Sequence, residues 1–217
     1  MIDLAFLAQV LPVLLRALVV TLQAALLGMV LALALGLGWE LLRRAPLRPL
    51  AIGSRLFVDF VRNTPLLVQI YFLFYVLPGY GVTLSALTTG VLALGLHYSA
   101  YTAEIFRAGI DGVPRGQWEA AAALRLRPVQ ALFLVILPQA VPRVIPALGN
   151  RFIALFKDTP LLSAITVVEM LQAARMIGSE TFRYFLPLTL VGLLFLALSL
   201  VCAWGVGRLE RRWAVAS

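Results

Sequence analysis

From Leu11 to Gly38 the chain offers water almost nothing: only Arg16, Thr21 and Gln23 interrupt the apolar run. About 20 apolar residues carry a helix across the hydrocarbon core of a bilayer, so this stretch reads as a spanning helix with length to spare for tilt. In that medium every backbone N–H and C=O must be satisfied within the protein, which favours helix. Further apolar runs follow at Leu56–Pro78, Leu87–Ile110, Val141–Lys157 and Phe185–Val206. The expectation is an all-α integral membrane protein of about five transmembrane helices, a single domain over 1–217. Hydrophobic residues at 62%, charged residues at 13% and a mean hydropathy of +0.96 exclude an ordinary soluble domain. No basic segment or small-residue cleavage site precedes the first run, so it is expected to be retained.

The formal charge of +8 raises nucleic acid as a partner, but the placement of the arginines rejects it. Arg43, Arg44, Arg48, Arg55 and Arg62 edge the first connection, Arg107, Arg115, Arg125, Arg127 and Arg143 the third, and Arg208, Arg211 and Arg212 the tail. Gly79–Ala86 holds none, and the segment after Lys157 only Arg175 and Arg183. Basic loops stay cytoplasmic, so the N-terminus is expected outside and the C-terminus inside. Trp39–Arg55, with Pro46 and Pro49 breaking any helix, is expected to be a cytoplasmic loop. Ile165–Arg183 is expected to be an outer hairpin or surface helix. Cys202 and His97 are each alone in the chain, so neither an intrachain disulfide nor a histidine metal site can be built.

Polar residues inside spans are costly and mark pathways. The tetrad Arg62-Asn63-Thr64-Pro65 interrupts the second span and frees carbonyls that only protein or a watery cavity can satisfy. In the third, His97, Tyr101, Glu104 and Ala108 fall on one helix face, with Arg107 three residues beyond Glu104. Arg151 and Asp158, seven apart, share a face of the fourth, where they either pair with each other or meet substrate. The candidate pathway residues are Asn63, Thr64, Gln69, Tyr101, Glu104, Arg151 and Asp158. Glu104, His97 and Asp158 also admit an ion relay of the kind a secondary transporter or channel uses.

The polar stretch Asp111–Pro142 divides at its prolines. Pro114 is placed to start one helix and Pro128 a second, and Pro138 and Pro142 are expected to limit that second helix. Glu119 and the four alanines after it form a surface of little bulk that another protein can approach closely.

Gly116, Gln117, Glu119, Ala120, Ala121, Ala123 and Leu124, then Val135, Leu137 and Pro138, resemble the Glu-Ala-Ala coupling loop of ABC-importer permeases. Arg62–Gln69, Ser99–Arg107 and Gly149–Ser163 resemble runs of the polar-amino-acid branch of that family, with Pro160 where the family has serine. Arg125 stands where the family has glycine, so it either takes an ordinary right-handed turn or accepts strain of about 1 kcal/mol.

The resemblance implies the ABC type I importer permease fold, with Gly116, Glu119, Ala120, Ala121, Leu124 and Arg125 coupling to a separate ATPase in a bacterial inner membrane. It further implies a second permease subunit, identical or paralogous, and an extracytoplasmic solute-binding protein. No phosphate-binding glycine loop is present, so ATP and Mg are expected on the ATPase and no cofactor on this chain. Family members associated with basic amino acids often carry glutamate where this chain has Arg151. The lean is therefore toward glutamate, aspartate or their amides.

Overall fold

The computed structural model describes residues 3–214, and α1 (Leu4–Arg43) opens it as a 40-residue helix, about 60 Å at 1.5 Å per residue. Gly28, Ala32 and Gly36 recur every fourth position on its buried face. Against this strip lies α4 (Ala86–Asp111), close enough for the Thr102 hydroxyl to donate to the Ala32 carbonyl at 2.7 Å. A Cβ on Gly36 would overlap that hydroxyl and press on the Ser99 carbonyl. Lipid supplies no hydrophobic drive between helices, so close backbone packing of small residues is what holds such a pair.

The expected proline-broken loop after α1 is instead mostly helix. α1 runs to Arg43 and α2 spans Arg48–Arg62. Pro49 sits in the first turn of α2, where a missing N–H costs nothing, so it starts the helix rather than breaking it. After Asn63–Pro65 the chain turns by 105° into α3 (Leu66–Tyr71), which continues through a π turn (Phe72–Val76) and a 3-10 turn (Leu77–Tyr80). The second span is thus a bent pair. Gln69 Nε2 donates at 3.0 Å to the Val61 carbonyl, which Pro65 cannot serve, and Asn63 Nδ2 adds a bond at 2.7 Å to the Asp59 carbonyl.

Beyond α4 come α5 (Arg115–Ala123), α6 (Pro128–Ala131), a π turn (Leu132–Ile136) and α7 (Leu137–Asp158). Pro138 and Pro142 do not limit the helix that Pro128 begins. The Leu137 N–H reaches back five residues to the Leu132 carbonyl, and this wider ring lets the Pro138 ring pass the carbonyl that a tight turn would set against it. The fourth span therefore begins well before Val141.

A 3-10 segment (Thr159–Ile165) leads to α8 (Met170–Thr181), and here the surface expectation is corrected. Met170, Ala173, Ala174 and Gly178 are buried, and the Met170 N–H donates to Thr21 Oγ1 of α1 at 3.2 Å. The charges at Arg175 and Glu180 lie on the opposite, exposed side, so the helix packs into the bundle by one apolar stripe. Buried Glu169 caps it, accepting from the Leu171 and Gln172 N–H groups at 2.9 and 2.7 Å. α9 (Phe185–Ala214) completes the described chain.

Asp3 accepts from the Phe6 N–H at 3.1 Å and from Arg183 at 3.0 Å, tying the start of α1 to the α8–α9 turn. Those two donors hold its carboxyl below the usual range. By length and composition three segments qualify as spans, Leu4–Arg43, Pro128–Ile165 and Phe185–Arg211, and the bent pair adds a fourth when counted as one span. α4, expected as a fifth, is long enough at 26 residues but less apolar, because Thr89, Ser99 and Thr102 are buried inside the bundle.

Candidate substrate cavity and coupling segment

Tyr101 and Glu104 of α4 and Arg151 of α7 line one cavity of about 410 Å³, together with Arg62 at the end of α2 and Arg143 of α7. α4 places Tyr101, Glu104 and Ala108 on the same wall because three- and four-residue spacings stack on one helix face. The Arg151 guanidinium lies over the Tyr101 ring, 4.6 Å from its centroid, and Arg62 lies 5.7 Å from the same centroid. Among the described residues Arg151 makes no ion pair, and its buried Nε has no hydrogen-bond partner.

Glu104 does not offset this positive charge. Its carboxylate is bound at 2.7 Å by Arg43 and at 2.7 Å by Arg107, with Arg62 at 3.9 Å. Arg143 donates to the Gly112 carbonyl at 2.7 Å. The cavity therefore keeps an excess of guanidinium, the group that clamps carboxylates with paired hydrogen bonds.

Other pathway candidates fall elsewhere. Asp158 accepts from the Tyr98 hydroxyl at 2.7 Å, and no pairing with Arg151 is formed. Gln69 Oε1 is paired with His97 Nδ1 at 3.2 Å, and its amide nitrogen contacts Thr64 Oγ1 at 2.6 Å. Thr64 and Gln69 border a separate apolar cavity of about 350 Å³, while Asn63 is exposed and bonded to its own helix. Glu104, His97 and Asp158 thus have different partners and form no chain of their own. Two lining residues were not among the pathway candidates: Arg143 is expected only as a loop charge, and Arg62 as part of the tetrad that interrupts the second span.

At the same end of the molecule, α5 stands out from the bundle. Ala121 is its one buried residue, Trp118 is half-buried, and Gly116, Glu119, Ala120 and Leu124 are exposed. Its base is fixed by a cluster of Ile110, Val113, Ile136, Leu137 and Ala140, against which Trp118 packs, and by a Gln139–Gln117 amide pair at 3.0 Å. The turn after α5 takes the strained alternative. Arg125 has φ 56°, its N–H donates to the Ala122 carbonyl at 2.9 Å, and the Leu126 N–H reaches the Ala121 carbonyl at 3.1 Å. This is the helix-ending motif that glycine usually supplies, kept here by arginine at a cost of about 1 kcal/mol.

A bundle of long apolar helices with a charged, open cavity and a protruding, anchored helix suits a membrane component of a transport system. Residues 32–215 match the family of binding-protein-dependent transport system inner membrane components, and the chain belongs to that family. It is 49% identical over 201 residues to the probable amino-acid ABC transporter permease protein y4tG of Sinorhizobium fredii (strain NBRC 101917 / NGR234), covering 93% of this chain and 87% of that one. It is 42% identical over 166 residues to the L-cystine transport system permease protein TcyB of Bacillus subtilis (strain 168), covering 76% and 69%. Its fold matches the crystal structure of an amino acid ABC transporter with histidines at a TM-score of 0.90 and 33% identity, covering 98% of this chain and 99% of that one. The family places the chain in the inner membrane and sets aside the ion-relay alternative.

Proposed function

We propose that this chain is the permease subunit of an ATP-binding-cassette importer for polar amino acids, with Arg151 receiving the substrate carboxylate. The observation that carries the substrate reading is the Arg151 guanidinium, held over Tyr101 at a cavity wall with no ion-pair partner among the described residues. The Arg151 side chain is half-buried, its Nε lacks a partner, and a carboxylate bound in two-pronged fashion supplies one. The relatives named for amino-acid transport support the class. The guanidinium excess disfavours arginine and lysine and favours glutamate, aspartate or their amides. The 42% identical relative named for L-cystine makes that two-carboxylate amino acid a second reading.

In this reading the N-terminus is outside and α5 enters the cytoplasm. There it docks a separate ATPase, which carries ATP and Mg; a second permease subunit and an extracytoplasmic solute-binding protein complete the assembly. The permease itself does no covalent chemistry. ATP closes the ATPase pair, the docked α5 helices follow, and the cavity opens alternately to each side. The test is uptake into proteoliposomes holding the full complex, over a panel of glutamate, glutamine, cystine and arginine. Arg151→Glu should abolish uptake of the anionic substrates and shift preference toward arginine. Unchanged selectivity would remove Arg151 from the site, and a native preference for arginine would overturn the substrate reading.

A further inference from the structure

The end of α5 carries a feature that folding does not ask for. Glycine meets the left-handed turn at 125 without strain, yet the chain holds arginine there, with its side chain exposed. Leu124 beside it is 74% exposed, and Val129 is 66% exposed. Arg127 is exposed as well, whereas the nearest exposed acid, Glu119, lies more than a helical turn back along α5. None of Arg115, Arg125 and Arg127 has an ion-pair partner among the described residues. The tip is thus an apolar anchor flanked by cations whose backbone is locked by two hydrogen bonds.

Strain held at a protruding tip by a rigid support is characteristic of contact sites, where a side chain must be aimed in one direction. We propose that Arg125 is a partner-selecting contact: Leu124 enters an apolar socket on the ATPase, and the Arg125 guanidinium takes a carboxylate on the rim of that socket. The proposal deepens the reading of α5 as the docking element and rests on it. The partner is defined by its chemistry as a soluble subunit whose socket is apolar inside and acidic at the edge. An ATPase whose rim lacks that carboxylate docks less well, which gives the permease a means of distinguishing its own ATPase from those of other importers. A rim charge of this kind acts mainly on encounter and selectivity.

The experiment titrates the purified cognate ATPase onto the full-length permease in nanodiscs, at low and at high salt. Arg125→Gly keeps the turn, relieves the strain and removes the cation. It should melt at or above the native temperature while the Kd for the ATPase rises about three- to fivefold at low salt, with a smaller rise at high salt. Arg125→Lys should restore most of the affinity, and Arg125→Glu should weaken docking further than glycine does. A Kd for Arg125→Gly equal to the native value, with the same salt dependence, overturns the proposal. Ala120→Trp serves as the separate check on the underlying reading. If it leaves docking intact, α5 is not the docking element; if it abolishes docking while Arg125→Gly changes nothing, only the role of Arg125 fails.

Discussion

Arg151 and Tyr101 face each other across the α4–α7 seam, guanidinium over ring at 4.6 Å, and among the described residues no carboxylate forms an ion pair with the cation. Both side chains line the cavity, so the ring is placed to steady the guanidinium there. Tyr101→Phe preserves the aromatic face and should keep uptake near the native rate. Tyr101→Leu should raise KM several-fold, because a cation–π contact of about 0.5 to 2 kcal/mol is lost and Arg151 is left unoriented. Proteoliposome uptake kinetics check this, and equal KM values for the two variants would count against the ring's orienting role.

Asp158 and Tyr98 hold α7 to α4 above that cavity through one short hydrogen bond, with Tyr98 only 4% exposed. Removing the hydroxyl leaves a carboxylate without its donor, a change that costs about 1 to 3 kcal/mol. Tyr98→Phe should lower the melting temperature of the detergent-solubilised protein, and Asp158→Asn should lose much of that sensitivity to Tyr98→Phe. The double-mutant cycle measures the coupling directly, and strictly additive effects would show that the bond contributes nothing.

The α1–α4 seam tolerates no side chain at Gly36, where a Cβ meets both a hydroxyl and a carbonyl of α4. Gly36→Val should leave little monodisperse protein on size-exclusion chromatography, whereas Gly38→Ala, at a position with open space, should behave as native. Equal recovery of the two would mean that the seam is looser than it appears.

Much of this was legible in the sequence. The starts of α5 and α6 were marked by Pro114 and Pro128, and the shared face of Tyr101, Glu104 and Ala108 followed from helical spacing. Prolines misled the reading three times. Pro49, Pro138 and Pro142 were taken as breaks, but the effect of a proline depends on whether it falls in a first turn, at Pro49, or after a wide turn, at Pro138. No sequence pattern reports that difference. The burial of α8 was hidden by the charges at Arg175 and Glu180, which occupy only its outer side. Whether Arg151 paired with Asp158 was open from spacing alone, because the competitor, Tyr98, sits on a different helix. Gly28, Ala32 and Gly36 stand four residues apart, but spacing alone does not separate a packing strip from the rest of an apolar run or name the helix that meets it.

The most direct test of the whole reading is transport by the reconstituted assembly. The permease is placed in proteoliposomes with the proposed second permease subunit, ATPase and solute-binding protein, and uptake of labelled amino acid is followed with and without ATP. The expected result is uptake that requires ATP, the binding protein and the ATPase together, with no ATP hydrolysis by the permease chain alone. Uptake driven by an ion gradient in vesicles that hold this chain without any ATPase would contradict the account.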